Sequence, residues 1–387
     1  MILFGKLDKP SWYVYFKNAI ALILFLLLKL FFGKKIKDSK NLLFINTGQI
    51  GDLIISSVIF SNDSNFSPEA QVYFLLNEKY KELLAWYNGR IKLIFWPSLS
   101  YKTSVIIRFR LLKLLHSLHL KTCVNLTSGR GPINDELTLL SGAKQTICLN
   151  NNSRYLKRVF SNYYSRQYTQ IINLDILNEF DKQLSLLEKL TNKPAKQKTT
   201  FRVIPEARIS LHDTFEMIFK NGSTKVILIF PFSDIEEKNW PEKNYIDLIK
   251  LFSANGNISV LINGSQQQRA KSIRLIKQVG ERKNIFNLAG QYSLMQSAAL
   301  LEKCDLFIGN DSGFTHIAKA LGKNMIALIG GGSFGLFFPY IKRENEYLLY
   351  NNVDCMGCEW RCILRRRTCI EDISAEKVYS LAMSTFS

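Results

Sequence analysis

Three clusters in this 387-residue chain bring together residue types that do chemistry. The first is Gly309-Asn-Asp-Ser-Gly-Phe-Thr-His316, a polar elbow between a short apolar run, Leu306 to Ile308, and a helical pattern that continues to Gly322. A helix starting near Ser312 aims unpaired backbone N–H groups at whatever sits above the preceding strand, and its dipole adds partial positive charge. Phosphate is the natural guest. Asp311 and Ser312 are placed to cap that helix and to reach sugar hydroxyls, and His316, one turn in, shares a face with Ser312 and Gly313. The same residues also read as an ordinary capped turn with a core histidine.

The second cluster surrounds Lys238. An apolar strand pattern, Val226 to Phe230, runs into Pro231-Phe-Ser-Asp-Ile-Glu-Glu237, then Lys238-Asn-Trp-Pro-Glu242, and a helix is expected from Tyr245 to Phe252. Lys238 brings a full charge to a strand's carboxyl end, where a phosphate would sit. Among Asp234, Glu236 and Glu237 it reads equally as a solvated loop lysine. In the third cluster, Cys355, Cys358, Cys362 and Cys369 fall within fifteen residues. Such spacing suits a structural zinc or an iron–sulfur cluster in a reducing compartment, and two disulfides in an oxidising one. Cys123, Cys148 and Cys304 read as ordinary buried small residues.

The elements that must hold these residues alternate strand and helix. Leu42 to Asn46 reads as a strand, Thr47-Gly-Gln-Ile-Gly-Asp52 as a loop, and Leu53 to Phe60 as a helix. Ile258 to Ile262 ends in Asn263-Gly-Ser265 before another helix, and Ile285-Phe-Asn-Leu-Ala-Gly290 precedes a helical stretch from Ser293 to Leu301. Repeated βα units specify a doubly wound parallel sheet, whose ligands bind at strand carboxyl ends. A nicotinamide-dependent oxidoreductase would carry Gly-x-Gly-x-x-Gly after its first strand; Gly48 and Gly51 do not make that pattern. Paired glycines let the backbone pass close to a ligand. From the residues alone, Asp52 is also a common helix-start carboxylate stabilised by the dipole.

Four pieces in this order, Phe44-Ile-Asn-Thr-Gly-Gln-Ile-Gly-Asp52, Lys238-Asn-Trp-Pro241, Leu288-Ala-Gly290 with Leu294, and Gly309-Asn-Asp-Ser-Gly-Phe-Thr-His316, resemble the family 9 glycosyltransferases. That family is typified by the ADP-heptose:lipopolysaccharide heptosyltransferases. The resemblance implies an α/β chain of GT-B architecture, two Rossmann-like doubly wound domains facing a cleft. It implies an inverting transfer, with no cofactor or metal required, of a sugar, heptose first among the candidates, from a nucleotide diphosphate donor. The acceptor would be a lipid-linked glycan, a lipopolysaccharide core or a related surface glycan. Ser233, Lys238, Asp311, Ser312, Gly313 and His316 match the donor site, with Lys238 as a mobile charge. Asp52 matches the general base. Many relatives carry similar C-terminal cysteines, which does not establish a metal there. Two departures stand out: Gly264-Ser-Gln-Gln-Gln-Arg269 has no acidic residue where many relatives place one, and Asp234 stands beside Ser233 where a diphosphate would be repelled. A non-catalytic nucleotide-sugar or glycan-binding protein would show the same elbow.

Composition bounds these readings. A chain this long exceeds what one core usually serves. The expected parts are a membrane-associating segment over 1–37, an acceptor domain over 38–200, a nucleotide-sugar domain over 201–350 and a Cys-rich tail with a terminal helix over 351–387. The linker is expected between Thr191 and Gly222, where Asn192 to Thr200 is polar and basic. A formal net charge of +19 calls for an anionic partner. No nucleic-acid-binding module is evident, so nucleic acid is set aside. At the N-terminus an apolar run, Ala19 to Leu28, is flanked by Trp12, Tyr13, Tyr15 and Phe16 before it and by Lys34, Lys35 and Lys37 after it. A spanning helix needs about 20 apolar residues, and no cleavage site for a signal peptide follows. The expectation is an interfacial anchor on the cytoplasmic face of the inner membrane of a bacterium, with a short transmembrane anchor or a helix packed on the protein itself as alternatives.

Overall fold

Short apolar runs alternate with helices along the chain, and each run becomes a strand in one of two parallel sheets. The computed structural model describes residues 11–33, 39–127, 129–149, 158–219, 224–280 and 282–386. Lys34, Lys35 and Lys37, expected to flank the N-terminal anchor, lie outside the described residues. The chain divides into two compact units. The first comprises Met1–Lys81, Asn88–Ile176 and Lys182–Lys196; the second comprises Glu82–Tyr87, Leu177–Asp181 and Gln197–Ser387.

In the first unit the strands are β1 (Asn41–Asn46), β2 (Val72–Asn77), β3 (Lys92–Trp96), β4 (Leu120–Asn125), β5 (Gln145–Leu149) and β6 (Gln170–Ile172). The second contains β7 (Lys225–Phe230), β8 (Ile258–Ile262), β9 (Ile285–Asn287), β10 (Leu306–Asn310), β11 (Met325–Leu328) and β12 (Glu346–Leu349). The sheet orders are β3-β2-β1-β4-β5-β6 and β12-β11-β10-β7-β8-β9, every pairing parallel. Each is therefore the Rossmann-like doubly wound order, reversing direction between β1 and β4 in one unit and between β7 and β10 in the other. Helices cover both faces, which is why β8 and β10 read as continuous apolar runs instead of alternating ones.

Two sequence expectations shift. The helix expected over Leu53–Phe60 is broken: one segment spans Ile50–Ser56 and a second Val58–Ser61. It starts early because Asp52 folds back to accept from the Gln49 backbone N–H at 2.8 Å, closing a capping box one turn upstream. The helix after Pro241 likewise begins earlier than expected and spans Glu242–Ser253.

Neither the first nor the last described helix is a free appendage. The Ala375–Ser384 helix packs against the Glu242–Ser253 helix, and Ile370, Ile373, Val378 and Ala382 are buried in the second unit's core. The terminal helix of the expected Cys-rich tail is thus part of that core, while the stretch with Cys355, Cys358 and Cys362 stays partly exposed. At the other end the N-terminal helix spans Ser11–Phe32, well beyond its ten-residue apolar run. One face buries Phe25, Leu28 and Phe32 in the first unit's core. Phe25 meets Tyr164 edge-on with ring centroids 5.1 Å apart, and Lys29 donates to Gln167 at 2.6 Å. One face of the helix is therefore packed on the protein, and Trp12–Phe32 is by length and composition also apolar enough to cross a membrane.

Phe25→Ala should destabilise the first unit by about 3–5 kcal/mol, because the vacated space is walled by Tyr163 and Tyr164. Denaturant unfolding followed by a first-unit probe measures this; an unchanged midpoint would mean that the helix does not belong to that core.

Candidate functional site

The residues singled out around Lys238 and Asp311 meet at the second unit's switch point. β7 and β10 pair in parallel with Phe230 beside Gly309, so the loops that follow them leave from adjacent positions. Asn310, at the end of β10, ties the two loops together. Its Oδ1 accepts from the Trp240 backbone N–H at 2.9 Å and from the Tyr245 hydroxyl at 3.1 Å, and its Nδ2 donates to Pro231 O at 2.9 Å. Trp240, whose indole donates to Ile373 O, is buried, and this fixes where Lys238 emerges.

Lys238 donates from Nζ to Asp311 Oδ2 at 2.7 Å, and Ser333 Oγ donates to the same oxygen at 3.0 Å. The Lys238 ammonium lies between the rings of Phe337 and Trp360, 5.6 and 5.8 Å from their centroids. It is a clamped charge, not the mobile one expected, because its side chain is largely buried and its counter-ion more so. Burial by itself would raise the Asp311 carboxyl; the Lys238 charge and the bonds from Lys238 and Ser333 hold it below the ordinary value. Asp234, expected to repel a diphosphate, is exposed to solvent.

The Gly313–Ala320 helix starts from Ser312 in extended conformation. Its first N–H groups have no acceptor within the helix, as at any helix start. Capping by side chains does not occur as expected. Ser312 Oγ pairs with Thr315 Oγ1 at 3.3 Å and makes no cap bond, while Asp311 is committed to Lys238 and Ser333. The helix start therefore has no side-chain cap. Ser233 shapes the other rim: its N–H donates to Asn239 Oδ1 at 2.6 Å and its hydroxyl to Ile235 O at 2.6 Å.

His316 was expected on the ligand face and is instead buried behind Asp311. It stacks on Phe338 and Tyr340, with centroids 4.4 and 5.6 Å away. Burial pushes its imidazole down to about 3, so it is neutral. Nε2 lies 4.0 Å from Asp311 Oδ1, which favours the proton on that nitrogen and leaves Nδ1 to accept from the Tyr340 hydroxyl at 2.9 Å. Near the Gly264 departure, Gln268 accepts from the Ser265 N–H at 3.0 Å and donates to Phe232 O at 3.3 Å. The uncharged residue closes a capping box.

Sequence reasoning missed the Gly330–Ser333 stretch after β11, although four small residues behind an apolar strand are the signal used elsewhere in the chain. It carries the cysteine loop. Gly357 N–H donates to Gly331 O at 2.8 Å and Glu359 N–H to Gly332 O at 2.9 Å. Trp360 lies so close that a Cβ on Gly332 would meet its ring at 2.2 Å. Cys355, Cys358, Cys362 and Cys369 line one cavity of about 40 Å³ beside these glycines. Burial raises the Cys369 thiol, and its three fellow cysteines add to the rise. Among the described residues, no three His, Cys, Asp or Glu side chains are grouped to hold a metal ion. The four thiols converge without closing into a ligand set.

Asp52 sits at the switch point of the first unit. Thr47, after β1, donates its backbone N–H to Thr127 Oγ1, from beyond β4, at 3.4 Å. Asn46 bonds Asp52 O at 3.1 Å, Ser56 Oγ at 2.7 Å and the Gly48 N–H at 2.8 Å. Gly48 is required here: a Cβ would lie 2.5 Å from Asp52 Oδ2. The carboxyl group is half-buried.

Comparison with known proteins bears on the family and the fold. The model of glycosyltransferase family 9 (heptosyltransferase) matches residues 137–361. A lipooligosaccharide heptosyltransferase 2 of Campylobacter jejuni is 28% identical over 171 residues, 43% of this chain and 52% of that protein, so the chain spans about half the length of this curated relative. Among solved structures, a family 9 glycosyl transferase of Veillonella parvula superposes with a TM-score of 0.70 at 19% identity, over 91% of this chain and 99% of that one. The ADP-heptose lps heptosyltransferase II of E. coli gives 0.67 at 16% identity, over 89% and 98%. These two share the fold.

The buried neutral His316 has a consequence for stability. Between pH 6.5, its ordinary value, and about 3, the unfolded chain binds a proton there that the folded chain refuses. Stability is therefore full above this window and falls as pH drops through it. Unfolding at pH 5.5 should show about 1.4 kcal/mol less stability than at pH 7.5 from this group, and His316→Gln should remove that part of the difference. Equal pH dependence in both proteins would mean that His316 titrates normally.

Proposed function

The chain belongs to glycosyltransferase family 9, and from that premise we propose that it transfers a sugar, heptose first among the candidates, from a nucleotide diphosphate donor to a lipopolysaccharide core or related lipid-linked surface glycan, with inversion. The observation that carries this is the clamped Lys238–Asp311 pair beside the start of the Gly313–Ala320 helix, at the switch point where a doubly wound sheet binds its ligand. The E. coli structure similar in fold is named for ADP-heptose, which makes that donor the first to try.

In this reading the acceptor hydroxyl attacks the anomeric carbon from the face opposite the diphosphate. A carbon–oxygen bond forms there as the bond to the phosphate oxygen breaks and its electron pair leaves with the diphosphate. Asp52 takes the hydroxyl proton. Charge growing on the leaving group is answered by the remaining Lys238 donors and the N–H groups of the Ser312–Gly313 helix start, so transfer is assigned no metal. Asp311 holds Lys238 in place and lowers the site's net charge, which favours release of product. His316 and Tyr340 position Asp311 from behind. Ser233 shapes the loop that delivers Lys238.

Asp52→Asn should lower turnover with ADP-heptose by about 10²–10⁴-fold while ADP affinity by calorimetry stays near the parent value. Lys238→Ala should do the converse first, weakening ADP binding by about tenfold or more. Comparable turnover in the Asp52 variant removes it as the base; unchanged ADP affinity in the Lys238 variant moves the anion site elsewhere.

The lipid-linked acceptor fits a protein attached to the cytoplasmic leaflet of the inner membrane through its N-terminal segment. Convergence of Cys355, Cys358, Cys362 and Cys369 on one cavity supports a structural metal, zinc or iron–sulfur, that draws the thiols together as thiolates. Elemental analysis after reducing purification should find near-stoichiometric metal, and chelation should lower the melting temperature. Neither zinc nor iron, with melting unchanged in chelator, overturns it.

A further inference from the structure

The N-terminal helix buries one face and leaves the other bare. Outward-facing Ile20, Ile23, Leu27, Leu30 and Phe31 are all exposed, Leu30 by 81%. A helix of 22 residues is roughly 33 Å long, so this stripe runs the width of a small domain. Monomeric proteins rarely expose apolar stripes of this length without use.

The stripe continues onto a second helix. Phe31 meets Phe109 with centroids 5.8 Å apart, and Phe32 meets the same ring at 4.8 Å. Phe109 belongs to the Val105–Ser117 helix, whose Arg108, Leu111, Leu112 and Leu115 are buried. One turn before Phe109, Val105 and Ile106 are exposed, Ile106 by 65%. Exposed Arg110 and Lys113 interleave with them on that face.

Charge chooses among occupants. The exposed charged side chains of the Val105–Ser117 helix are Arg110 and Lys113, no Asp or Glu lies on that helix, and the Ser11–Phe32 helix adds Lys17 and Lys29, again without an acid. A second protein seated on this face would bury Lys113 and Arg110 against apolar side chains, at a desolvation cost it would have to offset with acids. An anionic bilayer surface imposes no such cost, since long basic side chains reach to headgroups while their apolar neighbours enter the acyl boundary.

We infer that the Ser11–Phe32 and Val105–Ser117 helices together form one in-plane docking face for an anionic phospholipid bilayer. This rests on the membrane attachment proposed above and adds that attachment is not the work of the N-terminal helix alone. Because Phe25, Leu28 and Phe32 hold that helix on the first unit, it lies along the bilayer and does not cross it.

Vesicle co-sedimentation of the full chain tests this, using vesicles of phosphatidylcholine alone and of phosphatidylcholine mixed with phosphatidylglycerol. The parent should bind the anionic vesicles preferentially, and added salt should release only part of it. Val105→Glu with Ile106→Glu should weaken binding by about tenfold or more, as should Ile23→Glu with Leu30→Glu, with ADP affinity unchanged in both. Arg110→Gln with Lys113→Gln should abolish the preference for anionic vesicles. Loss only in the Ile23/Leu30 variant overturns the composite face while leaving the N-terminal attachment standing. Failure of the parent to bind either vesicle overturns both. A lipid-free dimer by light scattering that the Val105/Ile106 variant converts to monomer assigns the face to a second copy and overturns the inference.

Discussion

A lysine and an aspartate that share a buried site at the switch point of the second sheet set the terms for everything around them. Removing both charges from water is expensive, and their attraction offsets that only when geometry is good and the remaining valences are met. Here Ser333 meets one valence of Asp311, and the rings of Phe337 and Trp360 enclose Lys238. Loss of either charge would leave the other buried and unpaired. Asn310 must therefore hold two loops in register, Trp240 must be anchored to Ile373, and the small residues after β11 must bring Ser333 within reach.

That requirement links the C-terminal cysteines to the Lys238–Asp311 pair. The cysteine loop hydrogen-bonds through Gly357 and Glu359 to the carbonyls of Gly331 and Gly332 and lays Trp360 over the same glycines. Ser333 is the next residue. Any change in how the four thiols are held is thus felt one residue away from a hydroxyl that Asp311 depends on. The cysteine loop thus lies against the Gly330–Ser333 stretch, and the terminal helix that follows it is packed into the second unit's core.

Among the described residues of the first unit, the polar networks are structural. Arg108 and Glu136 pair at 3.0 Å with Tyr101 donating to the same carboxylate, and Arg130 pairs with Asp135 with Tyr168 donating to it at 2.8 Å. Both are buried, and each carboxylate is met by a cation and a phenol, so neither is left for a ligand. Asp52 differs in being half-buried in the first turn of the Ile50–Ser56 helix, where its side chain leaves no room for a Cβ on Gly48.

The local alternation of apolar runs and polar turns was legible in the sequence: the strands β1, β7, β8 and β10, the elbow after β10, the loop before Asp52 and the doubly wound class all follow from patterns a few residues long. Partner choice was not. Lys238 and Asp311 are separated by 73 positions, and only the strand order β10-β7 makes their loops neighbours and turns an apparently solvated lysine into a clamped one. His316 went inward for a related reason, since Phe338 and Tyr340, which bury it, arrive from beyond β11. The N-terminal helix is the plainest case. Its apolar residues surround the axis, so periodicity carries no sign of which side packs on the protein; the shape of the first unit's core chose Phe25, Leu28 and Phe32, and left the opposite side bare.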